Sequence, residues 1–375
     1  MNKFDVQKST VLLVLVGSRA YGFHTDKSDY DYRGIVIPPM TSYFSLEPRF
    51  EQIVTKNGKQ YYPSLDIKDS DLQAMEILKF TTLALSCNPS IIEILFSDEE
   101  NIIYKHKVID KLLENRDLFL SKQAKARFCG YAVSQLNRIK LHKRWIANPP
   151  NHSPTRAEFG LPERLTISKD QLGAAESLIK KEVEQFTLMQ DDLPEHTKID
   201  LENGLTKMLE SVWVALNKEP FPINHSNTIE NILTEQAIEN NFEENFIETL
   251  RKERKYQTAK KEWDNYQTWL KERNPARAEL EKKYLFDCKH ATHLIRLLRM
   301  SEEIISTGKV LVKRPDAEEL LAIRNGSMTY EQVCEYAETQ QLKIEGLMKD
   351  SPLPKEPDKE KIQQLVYDII VAFNN

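Results

Sequence analysis

Two aspartates separated by one residue, Asp29 and Asp31, follow an apolar run and a Gly-Ser turn in the stretch VGSRAYGFHTDKSDYDYRG, residues 16 to 34. In an extended strand, side chains alternate faces, so residues i and i+2 point the same way. Asp29 and Asp31 therefore converge on one site, with Tyr30 and Tyr32 on the opposite side. Two carboxylates that close repel each other. A divalent cation relieves that repulsion, and hard oxygen donors suit Mg²⁺, which keeps several waters and takes one or two carboxylates plus substrate phosphates.

The Gly-Ser element supplies the complementary half. Gly17 lets the backbone approach a ligand closely. Ser18 offers a hydroxyl and a backbone N–H at the start of an expected short helix, an anion site, and Arg19 adds positive charge. Phosphate on the turn and metal on the aspartates make a nucleoside triphosphate site. GSRAYG is not a Walker A loop, because Phe-His follows where Lys and Ser or Thr are required. The flanking pattern is not that of a dinucleotide-binding βαβ unit.

A third carboxylate completes a site for two Mg²⁺ (or Mn²⁺) ions, about 4 Å apart, one activating an attacking hydroxyl and one holding the triphosphate. It must come from a neighbouring strand. Asp66 in YYPSLDIKD is assigned to it, with Asp69 and Asp71 as rivals and Asp71 read as a charge at a helix N-terminus. Further along, Lys289, His293 and Arg296 stand at i, i+4 and i+7, with Arg299 extending a basic stripe beside an apolar helix face. Lys289, His293 and Arg296 are expected to reach the triphosphate. His290 and His293 are not expected to bind zinc, since no Cys or third His stands at suitable spacing. The stretch 127–145 mixes basic and aromatic side chains, among them Arg127, Tyr131, Arg138, Lys143 and Trp145. Such mixing suits an RNA backbone and a stacked base.

The elements that must position these groups are legible in outline. TVLLVLVGS reads as a buried strand, and DYDYRGIVIPP as a strand ended by Pro38-Pro39. Asn57-Gly58 between two β-rich runs signals a hairpin whose second run ends at SLDIKD. From Asp69 onward the spacing of Leu72, Met75, Leu78 and Thr82 predicts a helix capped by Ser70. Another helix restarts at Asn88-Pro89, and a further one covers SKQAKARFCGYAVSQLNRIKLHKRW. Residues 170 to 282 are charged and mostly helical, with apolar stripes at Phe242, Phe246, Leu250 and at Trp263, Tyr266, Leu270. A long helix then ends near Gly308, KVLVKRP reads as a short strand, and IRNG as a helix C-terminus.

Bulk composition narrows the classes. The 375 residues carry a net charge of -5, so nucleic-acid contact must come from local patches. The longest apolar run is far short of the roughly 20 residues of a membrane span. Four dispersed cysteines without C-x-x-C argue against zinc and disulfides and for a reducing compartment. With no signal-peptide pattern at the N-terminus, a cytoplasmic location is expected. Nothing in the composition indicates an oligomeric state.

Gly17-Ser18 followed by Asp29-x-Asp31 and a later strand Asp66 resembles the DNA polymerase beta superfamily of nucleotidyltransferases. The resemblance is closer to the YcgL/RlaP-type, RNA-ligase-associated family of predicted nucleotidyltransferases. It also includes LKFTTLALSCNPSIIEILF, GYAVSQLNRI, KHATHLIRLLR and LLAIRNG. The resemblance implies a mixed-sheet catalytic core, metal-dependent nucleotidyl transfer and an association with RNA repair.

The expectation is thus an α+β protein. A nucleotidyltransferase core spans 1–125, a charged helical region with a possible acceptor surface spans 126–282, and a helical region packing back on the site spans 283–375. The expected reaction moves a nucleoside monophosphate from an NTP to a hydroxyl, preferentially at an RNA (tRNA-like) end. A protein hydroxyl (AMPylation-type transfer) and a non-catalytic nucleotide- or RNA-binding module are the alternatives.

Overall fold

The computed structural model describes residues 4–26, 28–46, 49–68, 70–163, 244–273 and 275–375. Its elements are α1 (Val6–Ser9), β1 (Thr10–Val16), β2 (Asp31–Val36), α2 (Met40–Tyr43), β3 (Gln52–Thr55), β4 (Asp71–Glu76), α3 (Ile77–Leu85), α4 (Pro89–Leu95), β5 (Ile102–Lys105), α5 (Asp110–Glu114) and α6 (Gln123–Ala147). After these come α7 (Glu244–Glu272), α8 (Pro275–Tyr284), α9 (Cys288–Thr307), α10 (Ala317–Arg324), α11 (Tyr330–Leu347) and α12 (Lys359–Asn374). They fall into two compact units, Met1–Ala147 with Pro275–Asn375, and Asn148–Asn274.

The first unit holds a five-stranded mixed sheet in the order β3-β4-β2-β1-β5. β1 runs antiparallel to β2 and β5, β2 parallel to β4, and β4 antiparallel to β3. TVLLVLV is rich in β-branched and large apolar residues, which suits a central strand covered on both faces. Leu12, Val14, Ile35 and Ile37 join the main core with side chains of α3, α4, α6 and α9. On the other face, Leu13, Tyr32 and Leu72 pack with Tyr62 and Ile67 in a smaller cluster. The chain is α+β, as the sequence predicts.

Helix boundaries follow local chemistry. Asn88 accepts from the backbone N–H of Ser90 at 3.1 Å, with Pro89 next, so α4 starts where predicted. α9 is capped by Asp287, whose Oδ1 accepts from the N–H groups of Lys289 (2.8 Å) and His290 (3.1 Å). It stops at Gly308, which takes φ +69, a value that glycine adopts without strain. α12 returns to the start of the chain, where Asn374 Oδ1 accepts from the Met40 N–H at 2.9 Å.

Three expectations change. The run after Asn57-Gly58 is a 3-10 turn and coil, because Gly58 N–H bonds to Ser70 O (3.0 Å) and the partner of β3 is β4 at 71–76. Residues 71–76 are strand, not helix: Leu72 and Ala74 are buried and Asp71 and Gln73 are less so, the alternation of a strand. α3 begins only at Ile77, capped by Glu76, whose Oε2 accepts from the N–H groups of Leu78 and Lys79. KVLVKRP forms no strand; Val310 and Val312 are buried in the core, and Arg314 N–H bonds to Tyr21 O at 3.0 Å.

In the second unit, a 3-10 turn at Ala157–Phe159 ends at Gly160 (φ +66), and Phe159 packs edge-on to Tyr256 of α7 at 5.8 Å. Trp263, Tyr266 and Trp269 line up along α7 with centroid separations of 6.1 and 5.9 Å, while Leu270 is exposed. The stripe position Phe242 lies outside the described residues. No helix among them is long and apolar enough to cross a membrane.

Candidate active site

The sheet brings three chain segments to one edge. Val16, the last residue of β1, pairs with Asp31, the first of β2, and Asp31 pairs in parallel register with Asp71, the first of β4. Paired residues on neighbouring strands share a face, so Asp31 and Asp71 stand side by side. Asp29 lies just before β2. Tyr30 and Tyr32 stack at 6.5 Å, which puts the alternate residues Asp29 and Asp31 together on the other side.

Gly17 sits against this cluster. Its φ is +75, and a Cβ there would lie 2.8 Å from Asp31 Oδ2. Backbone conformation and close approach both exclude a side chain, so the turn and the carboxylate share one small volume. The turn is held by Tyr21 N–H to Gly17 O (3.0 Å) and Phe23 N–H to Ser18 O (3.1 Å), and it is not a helix.

Asp31 is half-buried, and burial is the leading cause that raises its pKa above the ordinary carboxylate value. Arg33 and Lys289 oppose the rise, while Asp71 and Asp29 add to it. Lys289 on α9 therefore faces the acids electrostatically. Next along that helix face, His293 is held well below its usual pKa by burial first, then by Arg296, Lys289, His290 and Arg324. Its imidazole is neutral at physiological pH and stands among cations. The acids thus stand against a tight glycine turn on one side and feel the positive charge of Lys289.

Residues 2–149 match the family model described as RlaP, the RNA repair pathway DNA polymerase beta family. Over those residues the chain is similar to the RlaP-type family. No curated protein and no solved structure matches it. The RlaP match contains the strands and all the acids; Lys289 and His293 lie beyond it.

Within the matched region Asp66 does not share the face of Asp31, where the sequence predicts it. The segment around Asp66 packs on the opposite face: Leu65 and Ile67 join Tyr32 and Leu72, Lys68 N–H bonds to Tyr32 Oη at 3.1 Å, and the charge of Asp66 acts on that hydroxyl. Asp71 holds the expected position instead. The strand register signals it, and helical spacing read through 72–82 hid it.

Other predicted ligand contacts are committed elsewhere. Arg19 donates from Nη2 to Ser28 O (2.8 Å) and from Nε to Asp29 O (3.3 Å), and its guanidinium lies 3.7 Å from the centroid of Tyr30. It fixes the loop that carries Asp29. Arg296 is 4% exposed; it donates to Glu93 and stacks on Tyr21 at 4.0 Å, so it sits beneath the turn and not at the surface. Arg299 binds Asp316 at 2.6 Å and Glu319 at 2.7 Å, tying α9 to α10.

On α6, Arg127, Tyr131 and Arg138 share an exposed stripe at i, i+4 and i+11. The Asn88 amide donates to Tyr131 Oη at 3.0 Å. Lys143 leaves the stripe: it pairs with Glu331 at 3.4 Å and lies 3.4 Å over the ring of Tyr330. Trp145 is buried, which removes it as a base-stacking platform.

The raised pKa of Asp31 has a consequence for stability. A folded-state value above the unfolded one means the folded chain holds the proton more tightly, so this contribution is present at low pH and is lost as pH rises through the folded value. At neutral pH, without divalent cations, Asp31→Asn is expected to raise the melting temperature. The gain should shrink as pH falls into the ordinary carboxylate range. Thermal denaturation across pH in chelator checks this; a lower melting temperature for the variant at pH 7 would contradict it.

Proposed function

We propose that this chain is a metal-dependent nucleotidyltransferase that moves a nucleoside monophosphate from an NTP to a terminal hydroxyl of RNA. One observation carries the reading: Asp31, paired with Asp71, lies against a glycine that admits no side chain. The donor set fits hard divalent cations, since Asp29, Asp31 and Asp71 offer only carboxylate oxygens, and to the upward push that burial puts on Asp31 the charges of Asp71 and Asp29 add a repulsion that a cation relieves. When bound, two Mg²⁺ or Mn²⁺ ions supply charge neutralisation for the triphosphate and acidify the attacking hydroxyl.

The chain's own residues do the positioning. The Gly17-Ser18 turn brings backbone N–H groups and the Ser18 hydroxyl to the phosphates. Lys289 adds positive charge, and neutral His293 offers a ring hydrogen bond that brings no charge of its own. The acceptor oxygen attacks the α-phosphorus, the bond to pyrophosphate breaks, and the hydroxyl proton passes to the carboxylate cluster, in which Asp71 is solvent-exposed. Alignment and charge complementarity are the main sources of rate.

RNA as acceptor is supported by the description of the matched family and by the exposed Arg127–Tyr131–Arg138 stripe. Incubation with each α-labelled NTP, Mg²⁺ or Mn²⁺, and either total RNA or total protein tests the choice. Label on RNA is expected. Label on protein with RNA unmodified would replace this acceptor with a Ser, Thr or Tyr hydroxyl.

Lys289→Ala is expected to raise the KM for NTP on the order of tenfold, the effect of losing one charge-assisted contact of about 1.5 kcal/mol. Initial rates against NTP concentration check it. An unchanged KM would return Lys289 to the solvated surface.

A further inference from the structure

We propose that His142, Asp287 and His290 form a binding site for a divalent transition-metal cation of the zinc type, separate from the Asp29–Asp31–Asp71 cluster. His142 lies near the end of α6, Asp287 caps α9, and His290 is in the first turn of α9. Sequence spacing hides the set, because the third ligand to His290 and Asp287 comes from a helix far away in the chain.

One ligand atom from each residue lies within 4.8 Å of the others. Asp287 Oδ2 is 3.9 Å from His142 Nδ1 and 3.5 Å from His290 Nε2. Tetrahedral zinc with imidazole bonds of about 2.0–2.1 Å separates its ligand atoms by about 3.3 Å. The observed set is therefore a few tenths of an ångström from that geometry at the Asp287 edges.

The surroundings orient the ligands. The Asp287 side chain is 2% exposed. Its Oδ1 accepts the two backbone N–H groups of the α9 cap, which leaves Oδ2 for the imidazoles. His290 Nδ1 lies 2.7 Å from Gln135 Oε1. An amide oxygen only accepts, so Nδ1 carries a proton, and Nε2 without a proton of its own is an acceptor facing a carboxylate oxygen. Two acceptors facing each other need a proton or a cation between them. A metal-bound histidine whose other nitrogen donates to an amide or carboxylate oxygen has this arrangement. His142 is steadied by stacking on buried Trp145 at 5.5 Å. Two imidazole nitrogens and one carboxylate oxygen favour zinc, cobalt or nickel over magnesium.

The site would pin α6 to the start of α9, where Lys289 directly precedes His290 and His293 follows one turn later. A cation here fixes the basic wall opposite the acids without entering the reaction.

The test uses the full chain, stripped with chelator and titrated with Zn²⁺ and Co²⁺. One equivalent of Zn²⁺ should bind, Co²⁺ should give the visible bands of a tetrahedral site, and excess Mg²⁺ should not displace either. Asp31→Ala should leave both signals in place. His142→Ala and His290→Ala should each abolish them, and Gln135→Ala should weaken binding by about 10- to 100-fold. Where an alanine variant fails to fold, judged by circular dichroism, His142→Gln takes its place, and the cobalt spectrum of the Asp31→Ala chain remains decisive. Absence of zinc binding, zinc binding unchanged in the folded histidine variants, or binding lost only with Asp31→Ala would overturn the site. The cluster would then be an ion pair between Asp287 and a protonated histidine.

Discussion

Asp71→Asn is expected to reduce nucleotidyl transfer by about a thousandfold, the scale of removing one preorganised electrostatic group from a reacting centre. Asp66→Asn should leave the rate within a few-fold. The contrast follows from register. Asp71 stands opposite Asp31 on the adjacent parallel strand and pushes its pKa up, whereas the Asp66 segment packs against Tyr32 on the other face of the sheet. Neither variant removes buried apolar surface, since both aspartates are exposed, so loss of fold cannot mimic loss of chemistry. Single-turnover rates at saturating NTP and Mg²⁺ measure the effect. Comparable loss in both variants would break the assignment of Asp71.

Glu93→Ala is expected to destabilise the protein by about 3–5 kcal/mol, the usual result of stripping one partner from a buried ion pair. The Arg296 and Glu93 side chains are 5% and 6% exposed, and Tyr21 Oη donates to Glu93 Oε2 at 2.6 Å. Removing the carboxylate leaves a guanidinium buried without its counter-charge and a tyrosine hydroxyl without its acceptor. A fall of about 10 °C in melting temperature corresponds to this range for a unit of this size. A Glu93→Leu/Arg296→Met double variant should recover most of it, because paired apolar replacement is often near neutral. Tyr21 follows the Gly17-Ser18 turn by three residues, so the double variant should also bind NTP more weakly: the trio anchors the turn to α4 and α9. Thermal and chemical denaturation of the single and double variants check the account. Full stability in Glu93→Ala would contradict it.

Much of this was legible in the sequence because local chemistry dictates it. β1, the Gly-Ser turn and Asp29-x-Asp31 follow from β-branched runs, a glycine and period-2 alternation. Asn88-Pro89 and Gly308 punctuate helices through capping and positive φ. What was not legible depends on partners distant in sequence. Asp71 reads as a helix start because Leu72, Met75 and Leu78 also fit helical spacing; only pairing with β2 makes it a strand residue. Arg296 belongs to a basic stripe in sequence, yet its helix face turns inward onto Glu93, some two hundred residues earlier. Lys143 and Trp145 read as an RNA patch until α11 takes the first and the core takes the second. His142 joins His290 and Asp287 only through the packing of α6 on α9.

The central claim is transfer of a nucleoside monophosphate to an RNA hydroxyl with release of pyrophosphate. It is tested most directly with α-labelled NTP, Mg²⁺ and one defined RNA, offered with a free terminal hydroxyl or with that end oxidised by periodate. Label should enter only the RNA with the free hydroxyl, matched mole for mole by pyrophosphate, and both should vanish in Asp31→Asn. Equal labelling of blocked RNA, label on the protein alone, or no pyrophosphate with any of the four NTPs would contradict the account.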